Sequence, residues 1–538
     1  LVFLRGTRCP SLMMHSLLDD PLLRVRLPDG SVEGQSLPQI LHQLMQDEIL
    51  SFEALQAHQQ QPWHSFLVQL AAMAVARETD GTAPADAKEW HDALVALADG
   101  DEAAWQLVVD DVSRPAFLQS PVPEDSLEDA GYKADVPTPD QLDVIITSKS
   151  HDVKARRIRH PDPEHWIYAI VTLQTMEGFL GRGNYGIVRM NGGFGNRPLV
   201  GLSPDLSWGR HFERDVSVLV SERDDLSERY ALDGPALLWT RPWDGTKDSA
   251  LPLADCDPYF IEICRRIRFR QDDGDLVCWR ANTKGQRVDA PDSLNGDTGD
   301  PWTPIEKGDG KALTLPGEGF TYDRLQEIVF EGEYAPPPAL QFRESDNGHM
   351  YVVARALVRG QGKTEGLHHR IVPVPASASG WLREKSRRER LGERARDRVE
   401  MVDEVRRTVL YPAIGTLLGG GDTDAVDFDD VAPWLEAFDR AVDARFFETL
   451  WASVDMTDRE ALEQWHELLW EEAQTQFDDA EDHAPRSSTR YWRARSSARS
   501  IFHGSARSTL KYAFNDSEPN SSTPTNPSPA SESTVPRP

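Results

Sequence analysis

The sequence predicts an α+β protein: a large mixed N-terminal domain, then a C-terminal four-helix bundle and a disordered tail. Three observations carry that prediction. Up to about Val374, helical apolar spacing alternates with short strand-like runs, and Gly, Pro and Asp turns separate them. From Ser377 to about Lys511 the apolar spacing is helical almost throughout. Beyond Asn515 the chain is rich in Ser, Thr, Pro and Asn and nearly free of apolar side chains, so it cannot bury enough surface to order itself. The expected divisions are a mixed domain over residues 14–376, a bundle over 377–514 and a tail over 515–538. Residues 1–13 read as an extension ahead of a start at Met13 or Met14, with no sustained apolar core and hence no signal peptide.

Within the mixed domain, residues 38–48 fit a short helix. Residues 62–78 fit a stronger one, with Trp63, Phe66, Leu67, Leu70, Ala74 and Val75 on one face. Residues 85–98 and 102–109 continue the helical stretch, and the Pro/Asp-rich residues 121–140 read as loop. Residues 164–178 are helical by period, through Trp166, Ile167, Ile170 and Leu173, and Gly-rich sequence follows as far as Gly201. Strand-like runs then fall at 236–240, 259–269, 275–280 and 351–358. The bundle divides into helical segments at 380–418, 431–454, 458–476 and 487–512. Asp429 or Asp430 and Thr457 are the expected N-caps, and Gly419 to Gly421 make the clear break.

The chain has 538 residues, 39% of them hydrophobic, and no run of about 18 apolar residues that would cross a membrane. Its four cysteines, Cys9, Cys256, Cys264 and Cys278, form no CxxC pair and are too sparse for a disulfide scaffold. Reduced thiols in a cytoplasmic protein are the expected state. The net charge of −30 argues against free, nonspecific binding to nucleic acid. Charge is nevertheless segregated. Residues 148–210 carry nine Lys or Arg against five Asp or Glu, and residues 483–514 carry seven basic residues and no acidic one. Residues 421–482 reverse the balance, with twenty acidic and three basic. A nucleic-acid role would therefore rest on local basic faces.

Ordinary enzyme chemistry finds little support. Gly181-Arg182-Gly183-Asn184-Tyr185-Gly186 has the GxGxxG spacing, but a dinucleotide site needs a strand before it and a helix after it. Here a helix precedes and a loop follows. No complete P-loop, GxSxG elbow or HExxH occurs, and the adjacent His368 and His369 have no matching carboxylate pattern. No catalytic residue, cofactor or metal site is expected. A nucleotide-binding enzyme and a protein-only helical scaffold stand as the alternatives.

The order of these features resembles the large subunit (CasA family) of the type I-E CRISPR Cascade surveillance complex, over residues 17–512. The resemblance rests on the helical N-terminal stretch, the helix ending in a Gly-rich loop at 178–186 and the second Gly-rich run at 190–198. It rests also on the segment 253–269, the loop 358–364 and the C-terminal bundle. It implies a nonenzymatic protein that recognises a short protospacer-adjacent motif (PAM) in double-stranded target DNA. Such a protein starts strand separation and helps recruit a helicase–nuclease, while guide-RNA pairing reads the remaining sequence. By position, Gly181, Arg182, Gly183, Asn184 and Tyr185 would approach the PAM from the minor groove, with Lys284 or Arg287 reaching into it. Gln361, Gly362 and Lys363 would form the wedge that splits the first base pair. Ser148, Lys149 and Ser150 would contact the guide-RNA handle or backbone subunits, with Lys154, Arg156, Arg157 and Arg159 extending that surface. Arg490, Arg493, Arg495 and Arg499, on a helix that also holds Arg507, would face the displaced strand. The implied partners are guide RNA (crRNA), target DNA, the backbone, small helical and handle-binding subunits of Cascade, and the helicase–nuclease. No membrane is among them.

Overall fold

The structure is a computed structural model. It describes residues 15–79, 81–124, 126–144, 158, 160–177, 183–189, 197–360, 363–484 and 490–514. It divides into two compact units, the first ending at Gly392 and the second beginning at Glu393. The boundary near Ser377 expected from sequence falls earlier, where a short helix, residues 376–383, still belongs to the first unit.

The first unit opens with three short antiparallel strands, β1 (Leu23–Arg26), β2 (Val32–Gln35) and β3 (Ser51–Phe52), in the order β2-β1-β3. Helices α1 (Leu37–Met45), α2 (Gln60–Glu78) and α3 (Ala87–Leu97) follow. Asp86 caps α3 by accepting from the amides of Lys88 and Glu89. The apolar spacing in α2 suggests one buried face, but every residue from 61 to 75 is buried. Its polar side chains are satisfied inside: Gln69 Nε2 donates to the carbonyls of Tyr259 (3.0 Å) and Phe260 (3.2 Å), and His64 Nε2 meets Asp215 Oδ2 at 2.9 Å. This helix is the axis of the unit. Its Trp63 packs on Tyr168 and its Phe66 on Phe117, which in turn meets Trp239, each buried aromatic contributing about 1.5–3 kcal/mol.

Next come β4 (Lys133–Val136), the short α4 (Pro139–Leu142), α5 (Pro163–Met176), β5 (Leu199–Ser203) and α6 (Trp208–Glu222). Strand β6 (Leu251–Pro252) pairs in parallel with β9 (Val288–Asp289). Between them lies the hairpin of β7 (Arg266–Asp272) and β8 (Asp275–Ala281), to which β4 adds in the order β4-β8-β7. Strand β10 (Ile305–Glu306) pairs with β11 (Tyr334–Ala335) on either side of α7 (Tyr322–Val329). The long hairpin of β12 (Met350–Gly360) and β13 (Lys363–Val374) takes β5 onto its other edge, giving β13-β12-β5, and α8 (Ala376–Arg383) follows.

Several expectations need correcting. Residues 102–109 hold only the single turn Glu102–Trp105, after which the chain leaves the helical path to bridge Gln106 to Ser16. Residues 121–140 include β4 and the start of α4 as well as loop. Residues 236–240 make one parallel bridge, Leu237 to Ile261, and then a tight helical turn. In 259–269 the ladder begins only at Arg266. Before it, side chains replace the missing strand partner: the Gln174 carbonyl oxygen accepts from the amides of Cys264 (3.0 Å) and Arg265 (2.9 Å).

Helix α9 (Lys385–Val405) carries the unit boundary. It runs through the wider turn Arg406–Leu410 into α10 (Tyr411–Leu418), and α11 (Phe428–Ala452), α12 (Asp458–His483) and α13 (Tyr491–Thr509) complete the second unit. Thr457 caps α12, accepting from Glu460 N at 3.3 Å while the Glu460 carboxylate accepts from Thr457 N at 2.8 Å. The cap of α11 is Asp427 rather than Asp429 or Asp430, because Asp430 reaches back to accept from the Asp427 amide at 3.1 Å. The core is aromatic, with Phe477 stacked on Phe502 at 4.4 Å and Trp470 against Phe502 at 5.4 Å. No helix among the described residues is long and apolar enough to cross a membrane. Cys256, Cys264 and Cys278 are buried, and burial pushes the thiols of Cys256 and Cys264 up to about 12.

Candidate nucleic-acid interface

Helix α5 is capped at its C-terminus by Glu177, whose backbone is extended. Gly181 and Arg182 lie outside the described residues. The loop returns at Gly183, whose φ of +86° suits glycine, and an added Cβ would sit 3.2 Å from the Asn282 side chain. Gly183 is bridged to Thr283, the Thr283 amide donating to the Gly183 carbonyl at 3.0 Å. The Thr283 hydroxyl accepts from the Tyr185 amide at 3.2 Å. Asn184 is exposed and Tyr185 half-buried. The residue before the loop is the cap of a helix and not the end of a strand, so the GxGxxG spacing lacks the context a dinucleotide site needs.

Thr283 also begins the turn that carries Lys284, so this turn and the Gly-rich loop share one framework. The amides of Lys284 (2.6 Å) and Gly285 (3.1 Å) both donate to the Gly245 carbonyl. A Cβ on Gly285 would lie 2.9 Å from the Lys247 nitrogen, so the turn packs backbone on backbone. Lys284 is exposed, with no ion-pair partner among the described residues. Arg287 is different. It is 1% exposed, and its guanidinium donates to the carbonyls of Ser249 (3.0 Å), Leu238 (3.1 Å), Pro242 (3.2 Å) and Arg241 (3.2 Å). Burial pushes it down to about 10. Arg287 therefore holds the base of the turn from inside, which removes it as a groove-reaching side chain.

The β12–β13 register runs from Met350↔Val374 to Gly360↔Lys363, with an irregularity between Val358 and Arg359. Gln361 and Gly362 lie outside the described residues, and of Lys363 only the backbone pairing is described. The base of this hairpin tip is fixed by Arg359, which donates to the Val144 carbonyl and meets Glu177 Oε1 at 3.5 Å. Arg265 meets the same oxygen at 3.9 Å and donates to the Tyr185 carbonyl. Glu177, Arg265 and Arg359 were not singled out from sequence. Their one signal was position, Glu177 directly before the Gly-rich loop and Arg359 two residues before Gln361.

Val188, Arg189 and Arg197 belong to a buried charge cluster. Val188 N donates to both oxygens of Glu262 at 3.1 Å, and burial raises this carboxyl to about 8 despite Arg189. Arg197 Nε donates to Asp300 at 2.6 Å, and Arg189 approaches the same carboxylate at 3.9 Å. The second Gly-rich run thus enters and leaves through two arginines that face one aspartate. Ser148, Lys149 and Ser150, with Lys154, Arg156, Arg157 and Arg159, fall outside the described residues. His64, His211 and Asp215 meet in the core, where the two imidazoles stack at 4.1 Å with planes 24° apart. A metal held by both would have to lie in both ring planes, which near-parallel stacked rings do not allow.

On α13, Arg495 donates to the buried Glu481 at 2.9 Å, and Arg499 donates to both its oxygens at 2.5 and 2.6 Å. These two cations are interhelical partners. Arg490 and Arg493 are exposed, and Arg493 has no ion-pair partner among the described residues. Trp492 beside them is 69% exposed.

The family model for CRISPR-associated protein Cse1 matches residues 16–476. The chain belongs to the Cse1 family. Solved Cse1 structures share the fold at low identity. Thermobifida fusca Cse1 is 16% identical, with 93% of this chain and 99% of that one covered at a TM-score of 0.62. Thermus thermophilus CasA (Cse1) is 14% identical, with 92% and 100% covered at 0.61. A chain of a CRISPR RNA-guided surveillance complex is 14% identical, with 90% and 99% covered at 0.56. No curated protein matches the chain. The Cse1 assignment makes it a type I-E Cascade large subunit, as the order of features in the sequence implied. At such identity the Cse1 structures carry the architecture, and the roles of single residues rest on this chain's own geometry.

Proposed function

We propose that this Cascade large subunit reads the PAM in double-stranded target DNA, starts R-loop formation and helps recruit the helicase–nuclease, with no catalysis of its own. Its partners in this reading are crRNA, the other Cascade subunits and the target duplex. The observation that carries it is the sharing of one framework by three separate segments. Gly183 and Tyr185 are hydrogen-bonded to the turn that offers Lys284. Through Arg265 and Glu177 they connect to Arg359 at the base of the Gln361 turn. Cβ-free backbone and one unpaired lysine suit a minor groove, where acceptors line the floor and phosphates the walls. Gln361, Gly362 and Lys363, two residues beyond, act as the wedge, which offsets an unstacking cost of a few kcal/mol per step. Ser148, Lys149 and Ser150 serve the guide-RNA handle. Arg493, which has no ion-pair partner among the described residues, serves the displaced strand together with Arg490, whereas Arg495 and Arg499 are engaged by Glu481.

The test is binding of the reconstituted guide-RNA complex, with and without this chain, to duplexes with a randomised flank. Flank selectivity that requires the chain and is abolished by Gly183→Asp or Gln361→Ala supports the reading. Selectivity unchanged by removing the chain returns a protein-only scaffold to the front.

A further inference from the structure

We infer that Glu177 is a positioning residue that locks the flank-reading loop to the strand-opening hairpin, so that the two act as one unit. This rests on the function proposed above and adds to it the device that joins the two steps.

Glu177 belongs to neither element. It caps α5, and its side chain is 12% exposed. One oxygen, Oε1, faces two guanidinium groups that come from different parts of the chain, Arg265 at 3.9 Å and Arg359 at 3.5 Å. Their side chains are 10% and 8% exposed. Arg265 spends its other terminal nitrogen on the loop, and Arg359 is itself part of the hairpin. Arg265 Nη1 donates to the carbonyls of Tyr185, at the exit of the Gly-rich loop, and of Cys264 (3.0 Å). Arg359 Nη1 donates to the carbonyl of Val144, so the hairpin base is also tied to the last described residue before the segment that holds Ser148, Lys149 and Ser150.

Arg265 is held to α5 a second time. Gln174, one turn before Glu177, accepts from the Arg265 amide at 2.9 Å and donates to the Arg265 carbonyl at 3.0 Å. The α5 end is thus the fixed point, and the Tyr185 carbonyl and the hairpin base are the two things fixed to it. Two nearly buried cations share one carboxylate, so neither can leave without changing the field on the other. That is a contiguous path between the elements, made of named charges.

The test uses the reconstituted guide-RNA complex with Glu177→Gln, which keeps shape and removes charge. Two affinities are measured: for a fully paired duplex with the preferred or a scrambled flank, and for a target whose first base pairs are already open. The expected result is a loss of flank discrimination on the paired duplex by about tenfold, with assembly and affinity for the pre-opened target unchanged. Gly183→Ala and Gln361→Ala, non-additive in the wild-type chain, become additive in the Glu177→Gln background. Unchanged discrimination in a fully assembled variant overturns the inference, as does an equal loss on both targets, which marks a merely structural role. If Glu177→Gln fails to assemble, Glu177→Asp, shorter but charged, must give an intermediate discrimination. Should the wild-type complex itself show no flank preference, the proposed function fails first, which separates the two failures.

Discussion

Thr283 grips Gly183 from across the loop: its amide donates to the Gly183 carbonyl at 3.0 Å, and its hydroxyl takes the Tyr185 amide at 3.2 Å. Loop and lysine turn are therefore one object, although about a hundred residues separate them in sequence.

Gly183→Ala tests that object. Its φ of +86° costs an alanine about 1–2 kcal/mol, and the new methyl would press on Asn282. The expected outcome is a small drop in Tm of the isolated chain with a much larger loss of flank-selective duplex binding, read by thermal denaturation and by affinity on matched and scrambled flanks. A drop in Tm with selectivity intact would sink the role assigned to the loop.

Lys284 and Arg287 separate by their surroundings. Lys284→Ala should leave Tm unchanged and weaken duplex binding, lowering the slope of log affinity against log salt by about one. Arg287→Ala strands four carbonyls in the interior and should cost about 3 kcal/mol or more in urea unfolding. The reverse pattern would show that the interior and exterior roles have been exchanged.

Glu481 organises α12 and α13. Burial opposes its ionisation, but hydrogen bonds from Arg499 and Arg495 outweigh that, and its carboxyl lies below the usual glutamate range. A depressed folded value stabilises the unit above the ordinary glutamate value, and this contribution is lost as acid carries the pH down through the folded one. Wild-type chain should therefore lose Tm more steeply than Glu481→Gln on acidification below about pH 4.5. The same variant frees Arg495 and Arg499 and should raise affinity for single-stranded DNA severalfold at low salt. Parallel acid profiles would remove Glu481 from this role.

Glu262 works in the opposite direction. Burial lifts its carboxyl to about 8, so between its ordinary value of 4.5 and 8 the folded chain keeps a proton that the unfolded chain releases. Its contribution is complete at the acid end and falls as pH rises toward 8. Glu262→Gln stays neutral and can still accept from Val188 N. Its Tm should match wild type near pH 5 and exceed it by a few degrees at pH 8. Equal Tm at both ends would mean that the carboxyl is ionised throughout.

The helices were legible because their periods are local. Trp166, Ile167, Ile170 and Leu173 mark α5, and Thr457 with Glu460 marks the start of α12. What sequence could not supply was the partner of each exposed or buried charge. Arg287 and Lys284 sit three residues apart in one basic turn, and only tertiary packing sends one inward. Arg495 and Arg499 read as a free basic face because Glu481 lies on the previous helix. Glu177 reads as a helix-end acid until Arg265 and Arg359 arrive from two distant parts of the chain. In α2, the partners that satisfy the buried Gln61, His64 and Gln69 come from elsewhere in the chain, which local spacing does not show.

The pairing of β5 with β12, Leu199 to Arg355 and Ser203 to Tyr351, joins strands that lie far apart in the sequence of the first unit. During synthesis β5 leaves the ribosome long before its partner exists, and its five buried residues must wait with an open edge. The helical unit that follows closes over shorter separations, with α10 packing on α13 at its far end. The nascent chain is thus most vulnerable over its middle, where a chaperone would shelter the waiting strand until β12 arrives.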